Sequence, residues 1–445
     1  MTDTASRHHT LFLIMAFALL LRVLCITFAA ANGGVAVFHA LDTADYVTPA
    51  FSLFHHGTFS TASGPEIART PGYPLLLTLG LALGPYEAIT IALQIILSLV
   101  CVVLVYDIAR QAFGSSRVAL VAAALFAVEP LSIIYCGRLL PETLFTTLLL
   151  LFFAAMLSYF SKPSWMYLVF ASVLLVGATL TRPITYYLAP FMALLLLAIP
   201  TTLGIRQRLA RSAMFVVISL ALLFSWQVRN YIVANYWGFS SIQEINLYFY
   251  NAAAVQAENR SLSLGRIQRE LGFNDEVAYL ARHPEQVSWP IGYRLQYLRQ
   301  EATGVIVSAP LHYTRLHLVG SARVLFGTAA PGTLQMLGLP RPAMRMLTWA
   351  DAARTSAALV VTAITGYVFV FAYYLLAAVG LSGRLKQPFV MFAAVVVGYL
   401  ALVSGGVTGY SRFRHPIMPF LCVLAADGLT RILTRLRGIV VGPKI

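Results

Sequence analysis

Runs of about twenty apolar residues recur along the chain, and each is long enough to cross a bilayer as a helix. They fall at roughly 10–31, 87–108, 118–135, 142–160, 165–181, 184–203, 211–233, 356–380, 387–408 and 415–434. A backbone in hydrocarbon must satisfy its own hydrogen bonds, so such runs predict helices. The expected fold is therefore all-α: a polytopic membrane protein with about ten transmembrane helices. Charged residues make up only 11% of the 445 residues, against about 25% in soluble chains, and 59% are hydrophobic. The first run carries an arginine, Arg22, and lacks a small-residue cleavage pattern, so it reads as a retained helix rather than a signal peptide.

Basic residues orient the spans. With Arg7 on the cytoplasmic side, Arg110 with Arg117, then Arg206, Arg208 and Arg211, then Arg384 with Lys386 all fall in cytoplasmic loops. Arg431, Arg435, Arg437 and Lys444 form a cytoplasmic tail, and the only three lysines, Lys162, Lys386 and Lys444, lie on this side. Both termini are thus expected inside. Among the acids only Asp3, Asp107 and Asp427 fall there; the rest are outside or at outer helix ends. The net charge is +14, but the cations are split among short loops, which speaks against nucleic acid as a partner. Cys25, Cys101, Cys136 and Cys422 show no metal-binding or redox spacing.

Two outer segments are long, 32–87 and 234–355. The first holds GYPLLLTLGLALG, too short to span. The second holds NDEVAYLARHPEQV and GVIVSAPLHYTRLHLVGSARVLF, where arginine and histidine interrupt the apolar spacing. All three read as helices lying at the membrane surface. No repeat or flexible linker divides the chain, so one integrated domain over 1–445 is the simplest organisation.

Charge at the outer face points to chemistry. Asp42 and Asp45, in HALDTADYVTPAFSLFHHG, directly follow the first span and share a face if helical. Such a carboxylate can act as a general base or hold a divalent metal, or simply cap a helix. D-x-x-D without further ligands is a poor metal site, so no metal and no other cofactor is expected. In ARTPGYP, Pro71, Gly72 and Pro74 set a turn that presents Arg69, to a phosphate or to an acid such as Glu66. Glu129 and Glu142 flank YCGRLLPE with Arg138 between them; Glu142 is also placed to be an ordinary first-turn acid. Arg22 lies within its span, as a functional group or as the partner of a buried acid. Arg182 in TRP, Arg229 in SWQVRNY, and Arg412, Arg414 and His415 in YSRFRHP complete a set of arginines at one membrane face. An anionic ligand such as a lipid-linked phosphate would offset them, and so would salt bridges to the outer acids.

In this order the clusters resemble the bacterial type C glycosyltransferases of the protein-mannosyltransferase-like group, relatives of the aminoarabinose transferases of lipid A. The likeness runs from Arg22 through D42TADY46, RTPGYP at Arg69–Pro74, Pro130 with PETLF, Thr181-Arg182-Pro183 and SWQVRNYIVANYWGFSS to RFRHPIMP. Two departures are SWQ, where relatives often have Pro-Trp, and His415 in place of an apolar residue. The resemblance implies an inverting transfer of a hexose or pentose from a polyprenyl-phosphate sugar to a lipid, glycan or protein acceptor. It implies a catalytic centre in the 32–87 loop, outside the bacterial inner membrane. It makes Asp42, by its spacing to Tyr46, the expected base, with Asp45 as runner-up. Tyr46, Arg69, Tyr73, Arg138, Glu142, Arg182, Arg229, Arg412, Arg414 and His415 become candidates for binding donor phosphate or acceptor. A transporter or flippase of lipid-linked sugar is the alternative, but it should show repeated halves and broken helices near mid-membrane.

Overall fold

The computed structural model describes residues 2–199, 201–338 and 357–440. The chain is helical almost throughout; among the described residues the strands are one antiparallel pair, Ser60–Thr61 with Gly64–Pro65. Lys444, the side chains of Asp3 and Arg437, and the 339–355 end of the second outer segment lie outside the described residues.

A helix occupies each of the ten apolar runs, but not every one is long enough to span alone. Five described helices have the length and apolarity to cross a membrane: Ser6–Gly33, Tyr86–Phe113, Glu142–Ser161, Ile205–Ala234 and Ala357–Leu381. The 118–135 run, expected as one helix, is two: Ser116–Ala127 and Pro130–Cys136 meet at a bend of 54°. Pro130 has no N–H to donate back and cannot continue the first helix. Glu129 instead starts the second, accepting from the backbone N–H of Leu131 at 3.0 Å and of Ser132 at 2.6 Å. Three further runs give shorter apolar helices, Trp165–Thr181, Leu188–Ala198 and Pro388–Val403. The longest of these, 17 residues, measures about 25 Å, less than the ~30 Å of a hydrocarbon core. Among the described residues, length and composition alone thus qualify five helices as spans, or six with the bent pair.

Arg22 fastens the bend. It is fully buried in the first span. Its Nε donates to Ser98 Oγ at 2.8 Å, Nη2 to Ser132 Oγ at 3.1 Å, and Nη1 to the carbonyls of Ala18 and Ala127, each at 3.1 Å. Ala127 ends the broken helix, so its carbonyl has no partner along that helix. Arg22 thus bonds hydroxyls and carbonyls rather than an acid.

The first outer segment folds into helices Thr43–His56 and Gly72–Leu83 joined through the hairpin. Gly72–Leu83 packs on Thr43–His56 and on the Tyr86–Phe113 span. The second folds into a chain of shorter helices, among them Ile242–Asn246 running on through Leu247–Ala252 to Asn259, then Ile291–Ser308 and Pro310–Phe326. At the other end of the bundle Asp427 is buried between Arg384 at 3.0 Å and Arg431 at 2.7 Å.

Arg22→Ala strands the Ala127 carbonyl and the Ser98 hydroxyl, each orphan costing about 1–3 kcal/mol. The variant is expected to melt well below wild type in detergent; an unchanged melting temperature would remove Arg22 from the frame of the fold.

Candidate active site

Asp42 stands at the N-cap position of helix Thr43–His56, yet its side chain makes no capping bond. Thr43 secures the helix start, its hydroxyl accepting from Ala40 N at 2.8 Å and donating to the Leu139 carbonyl at 3.0 Å. The Asp42 carboxylate is left to accept a short hydrogen bond from Arg412 Nη2. One turn on, Asp45 accepts from Arg69 Nη2 at 2.5 Å. The Arg69 guanidinium lies over the Tyr46 ring, 4.9 Å from its centroid, with Nη1 3.5 Å from the phenol oxygen.

Arg412 reaches this place from the 3₁₀ turn Ser411–Arg414, between the last two apolar helices. Its Nε is 3.9 Å from Glu142 Oε1, and the same oxygen lies 3.3 Å from Arg182 Nη1. Phe413 packs against both cations, its ring 4.8 Å from the Arg412 guanidinium carbon and 4.7 Å from that of Arg182. Acid and base thus alternate: Asp42, Arg412, Glu142, Arg182, with Asp45 and Arg69 alongside. Within this cluster two buried atoms have no hydrogen-bond partner, Glu142 Oε2 and Arg412 Nε.

The sequence positions these groups by local means. Glu66 accepts from the backbone N–H of Ala68 at 2.6 Å and of Arg69 at 2.7 Å, which closes the turn that aims Arg69. Gly72 follows, where a Cβ would lie 2.6 Å from Thr181 Oγ1 and 2.8 Å from the Leu180 carbonyl. Only glycine lets the RTPGYP turn sit against the end of helix Trp165–Thr181, and that contact brings Arg69 and Arg182 to one place. Tyr73 is buried with its hydroxyl donating to Gln94 at 2.9 Å, and its ring meets Tyr46 edge-on at 5.4 Å. It braces Tyr46.

Burial by itself would raise the Asp42 carboxyl, but Arg412, Arg69 and Arg182 outweigh it and hold Asp42 below the usual carboxylate range. Arg412 moves the other way: burial disfavours its charge, and Glu142 and Asp42 more than restore it. His415 is buried. It pairs with Thr146 Oγ1 at 2.8 Å, buried beside Tyr135.

The six arginines expected together at the outer face divide into two sets. Arg69, Arg182 and Arg412 meet the carboxylates. Arg138 donates to the carbonyls of Val37 at 2.9 Å, His39 at 3.3 Å and Gly332 at 3.2 Å. Arg229 donates to the carbonyls of Glu66 at 2.5 Å and Phe59 at 3.0 Å. Arg414 donates to those of Val324 at 3.2 Å, Leu325 at 2.7 Å and Gly327 at 2.8 Å. Arg229 joins a span to the first outer segment, while Arg138 and Arg414 join loops to short helices and turns. Two aromatic residues at the site were not picked out from sequence. Phe413 sits inside the RFRHP motif, and Tyr250 interacts electrostatically with Asp42, Asp45 and Arg69. Tyr250 rides on a π-helical stretch, Leu247–Ala252, a feature enriched at functional sites but unreadable from residue types. Among the described residues no three His, Cys, Asp or Glu side chains gather as a metal site.

Over nearly its whole length the chain superposes on the archaeal oligosaccharyltransferase AglB from Archaeoglobus fulgidus, solved with an inhibitory peptide and a dolichol-phosphate. The TM-score is 0.52 at 14% identity, covering 94% of this chain and 51% of that one. The fold is that of the type C glycosyltransferases. A second structure of the Archaeoglobus fulgidus oligosaccharyltransferase, with zinc and sulfate, agrees at a TM-score of 0.51 and 14% identity, covering 95% of this chain and 49% of that one. The chain spans about half the length of these proteins. ArnT from Cupriavidus metallidurans, in the apo state, has a TM-score of 0.39 at 15% identity, over 94% of this chain and 77% of that one. Residues 68–226 match the family described as dolichyl-phosphate-mannose-protein mannosyltransferase. In this type C fold that stretch runs from the Arg69 turn through Glu142 and Arg182 to Trp226, and leaves Asp42 and Arg412 outside. No curated protein matches the sequence.

A carboxyl held low in the folded chain stabilises it above the unfolded value, about 3.9, and that stabilisation is lost as the pH falls through the folded value. In Arg412→Gln, burial is left to dominate and Asp42 is expected to rise instead. The melting-temperature deficit of the variant should therefore be small near pH 3 and widen toward pH 6. A deficit independent of pH would show that Arg412 does not set the state of Asp42.

Proposed function

We propose that the chain is a membrane-embedded inverting glycosyltransferase that moves a sugar from a polyprenyl-phosphate donor to an acceptor on the extracytoplasmic face. The observation that carries this reading is the Asp42 carboxylate paired with Arg412 in the cluster that also holds Glu142, Arg182, Asp45 and Arg69. A phosphate needs cations with donors to spare, and Arg412 has a buried Nε without a hydrogen-bond partner. The AglB structure contains a dolichol-phosphate, a lipid phosphate of the class proposed here as donor.

The steps follow from the charges. Donor phosphate binds the guanidiniums of Arg69, Arg182 and Arg412, and Arg412 exchanges the Asp42 carboxylate for a phosphate oxygen. Freed of its closest cation, Asp42 becomes a stronger base. It takes the proton of an acceptor hydroxyl, whose oxygen attacks the anomeric carbon from the face opposite the phosphate. The carbon–oxygen bond to phosphate breaks, its electron pair stays on the phosphate, and the arginines stabilise that charge. Asp45, more exposed and held by Arg69, orients that arginine. The transferred unit is a hexose or pentose, and the acceptor a lipid, glycan or protein.

The same reading places the protein in the bacterial inner membrane, with Asp42 outside and both termini inside. The Asp427 cluster with Arg384 and Arg431, near the basic loops, supports an inner end opposite the active one. The Asp42–Arg412 bond, spanning 370 residues, supports a single integrated unit over 1–445.

Asp42→Asn is expected to keep its fold and donor binding while losing transfer by roughly 10²–10⁴-fold, the usual worth of a general base. Transfer is read as release of lipid phosphate from a polyprenyl-phosphate sugar. Retained turnover in Asp42→Asn with loss in Asp45→Asn would move the base to Asp45. For the donor, mass spectrometry of lipid co-purifying in mild detergent should find a polyprenyl phosphate or its sugar ester with wild type and much less with Arg69→Ala. Equal amounts in both would remove Arg69 from the phosphate site.

A further inference from the structure

Helix Ile291–Ser308 has two unlike faces. Leu295, Leu298 and Ala302 are buried against Ile67, Tyr236 and Tyr248, so the helix is packed onto the segment that carries Arg69. Glu244 reinforces this seat, accepting from Tyr236 at 2.6 Å and pairing with Arg299. The opposite face, with Trp289 and Pro290 just before the helix, lines a cleft of about 420 Å³ together with Tyr293, Gln296, Tyr297 and Gln300. That volume lies within the roughly 300–1,000 Å³ of small-molecule sites.

The lining is ordered by helical spacing. Tyr293 and Tyr297 are four apart on the helix and make one ridge, which Trp289 extends from the bend before the helix; Gln296 and Gln300 make the next. Trp289 and Tyr297 hold each other, ring centroids 6.3 Å apart at 75°. The amides of Gln296 and Gln300 make no hydrogen bond to any described residue. The cations nearest in sequence are engaged elsewhere: Arg294 bonds Glu276 at 2.9 Å and the Gln286 carbonyl at 3.0 Å, and Arg299 bonds Glu244. The cleft therefore offers ring faces, and amides that both donate and accept, without a free charge.

We propose that this cleft binds a neutral saccharide, and that it holds the glycan part of the acceptor. Ring faces stack on the C–H faces of a sugar, and a primary amide answers the donor and acceptor of a hydroxyl together. A phosphate would find no cation here, and an acyl chain would strand two amides. The acceptor role rests on the transferase reading; saccharide binding does not.

The test uses the full-length protein in detergent, without donor, and reads saturation-transfer NMR to mannobiose, cellobiose and chitobiose, with phosphocholine and glycerol phosphate as headgroup probes. At least one disaccharide should receive saturation from wild type. Tyr293→Ala should weaken its binding by roughly tenfold, on the scale of one lost aromatic contact, and Gln296→Ala with Gln300→Ala should weaken it as well. Arg69→Ala should leave it unchanged, which separates this site from the donor site. The proposal is overturned if no disaccharide is bound, or if binding survives both the Tyr293 and the glutamine changes. It is also overturned if the headgroup probes take up the saturation in its place, which would make the face part of an aromatic membrane-interface belt. The changed residues lie on the cleft face rather than in the packed face, and matching melting temperatures confirm that the variants fold.

Discussion

The bond between Asp42 and Arg412 is what the rest of the site depends on. It joins the first outer loop to the turn before the last helix, across 370 residues. A guanidinium taken out of water needs a partner, because an unpaired buried charge is strongly destabilising. Arg412 finds two acids, Asp42 and Glu142, and Glu142 passes the link to Arg182. Each of these groups comes from a different part of the chain. The cluster therefore forms only when the first loop, the Glu142 span, the Arg182 turn and the last turn have all packed.

Three arginines face three carboxylates, so the cluster is close to neutral as it stands. That balance allows it to exist in a dry place, and it also limits what can enter. A phosphate adds negative charge and must take a cation from one of the acids. The most open acids are Asp45 and Asp42, with side chains 53% and 28% exposed, while Glu142 is 2% exposed. Glu142 stays with its arginines, and the two aspartates are the ones able to give theirs up. On the transferase reading, the carboxylate that loses its cation is the one that then needs to be a base.

The spans and the clusters were legible in the sequence because apolar runs and motif spacing are local. The bend at Pro130 was marked by its proline, yet the apolar run on either side concealed the break. The splitting of the arginines was not legible at all. Residue type says that a guanidinium needs a partner, but Arg412 and Arg414, two positions apart, take carboxylates and backbone carbonyls respectively. Only the tertiary arrangement decides which. The cap reading of Asp42 failed for a similar reason: its position is that of a cap, but Thr43 secures the helix start, which leaves the carboxylate to a partner far away in sequence.

The carbonyl-binding arginines follow from the broken helices. A helix that stops leaves its last carbonyls without intrahelical partners, and near a membrane water does not reliably supply them. Ser116–Ala127 ends on Ala127, and Arg22 takes its carbonyl. Pro310–Phe326 ends at Phe326, and Arg414 takes carbonyls on both sides of that end. A cation there also meets the negative end of the helix dipole. Broken helices and arginines placed against the usual charge bias are therefore one device. The arginines satisfy the backbone that the breaks expose.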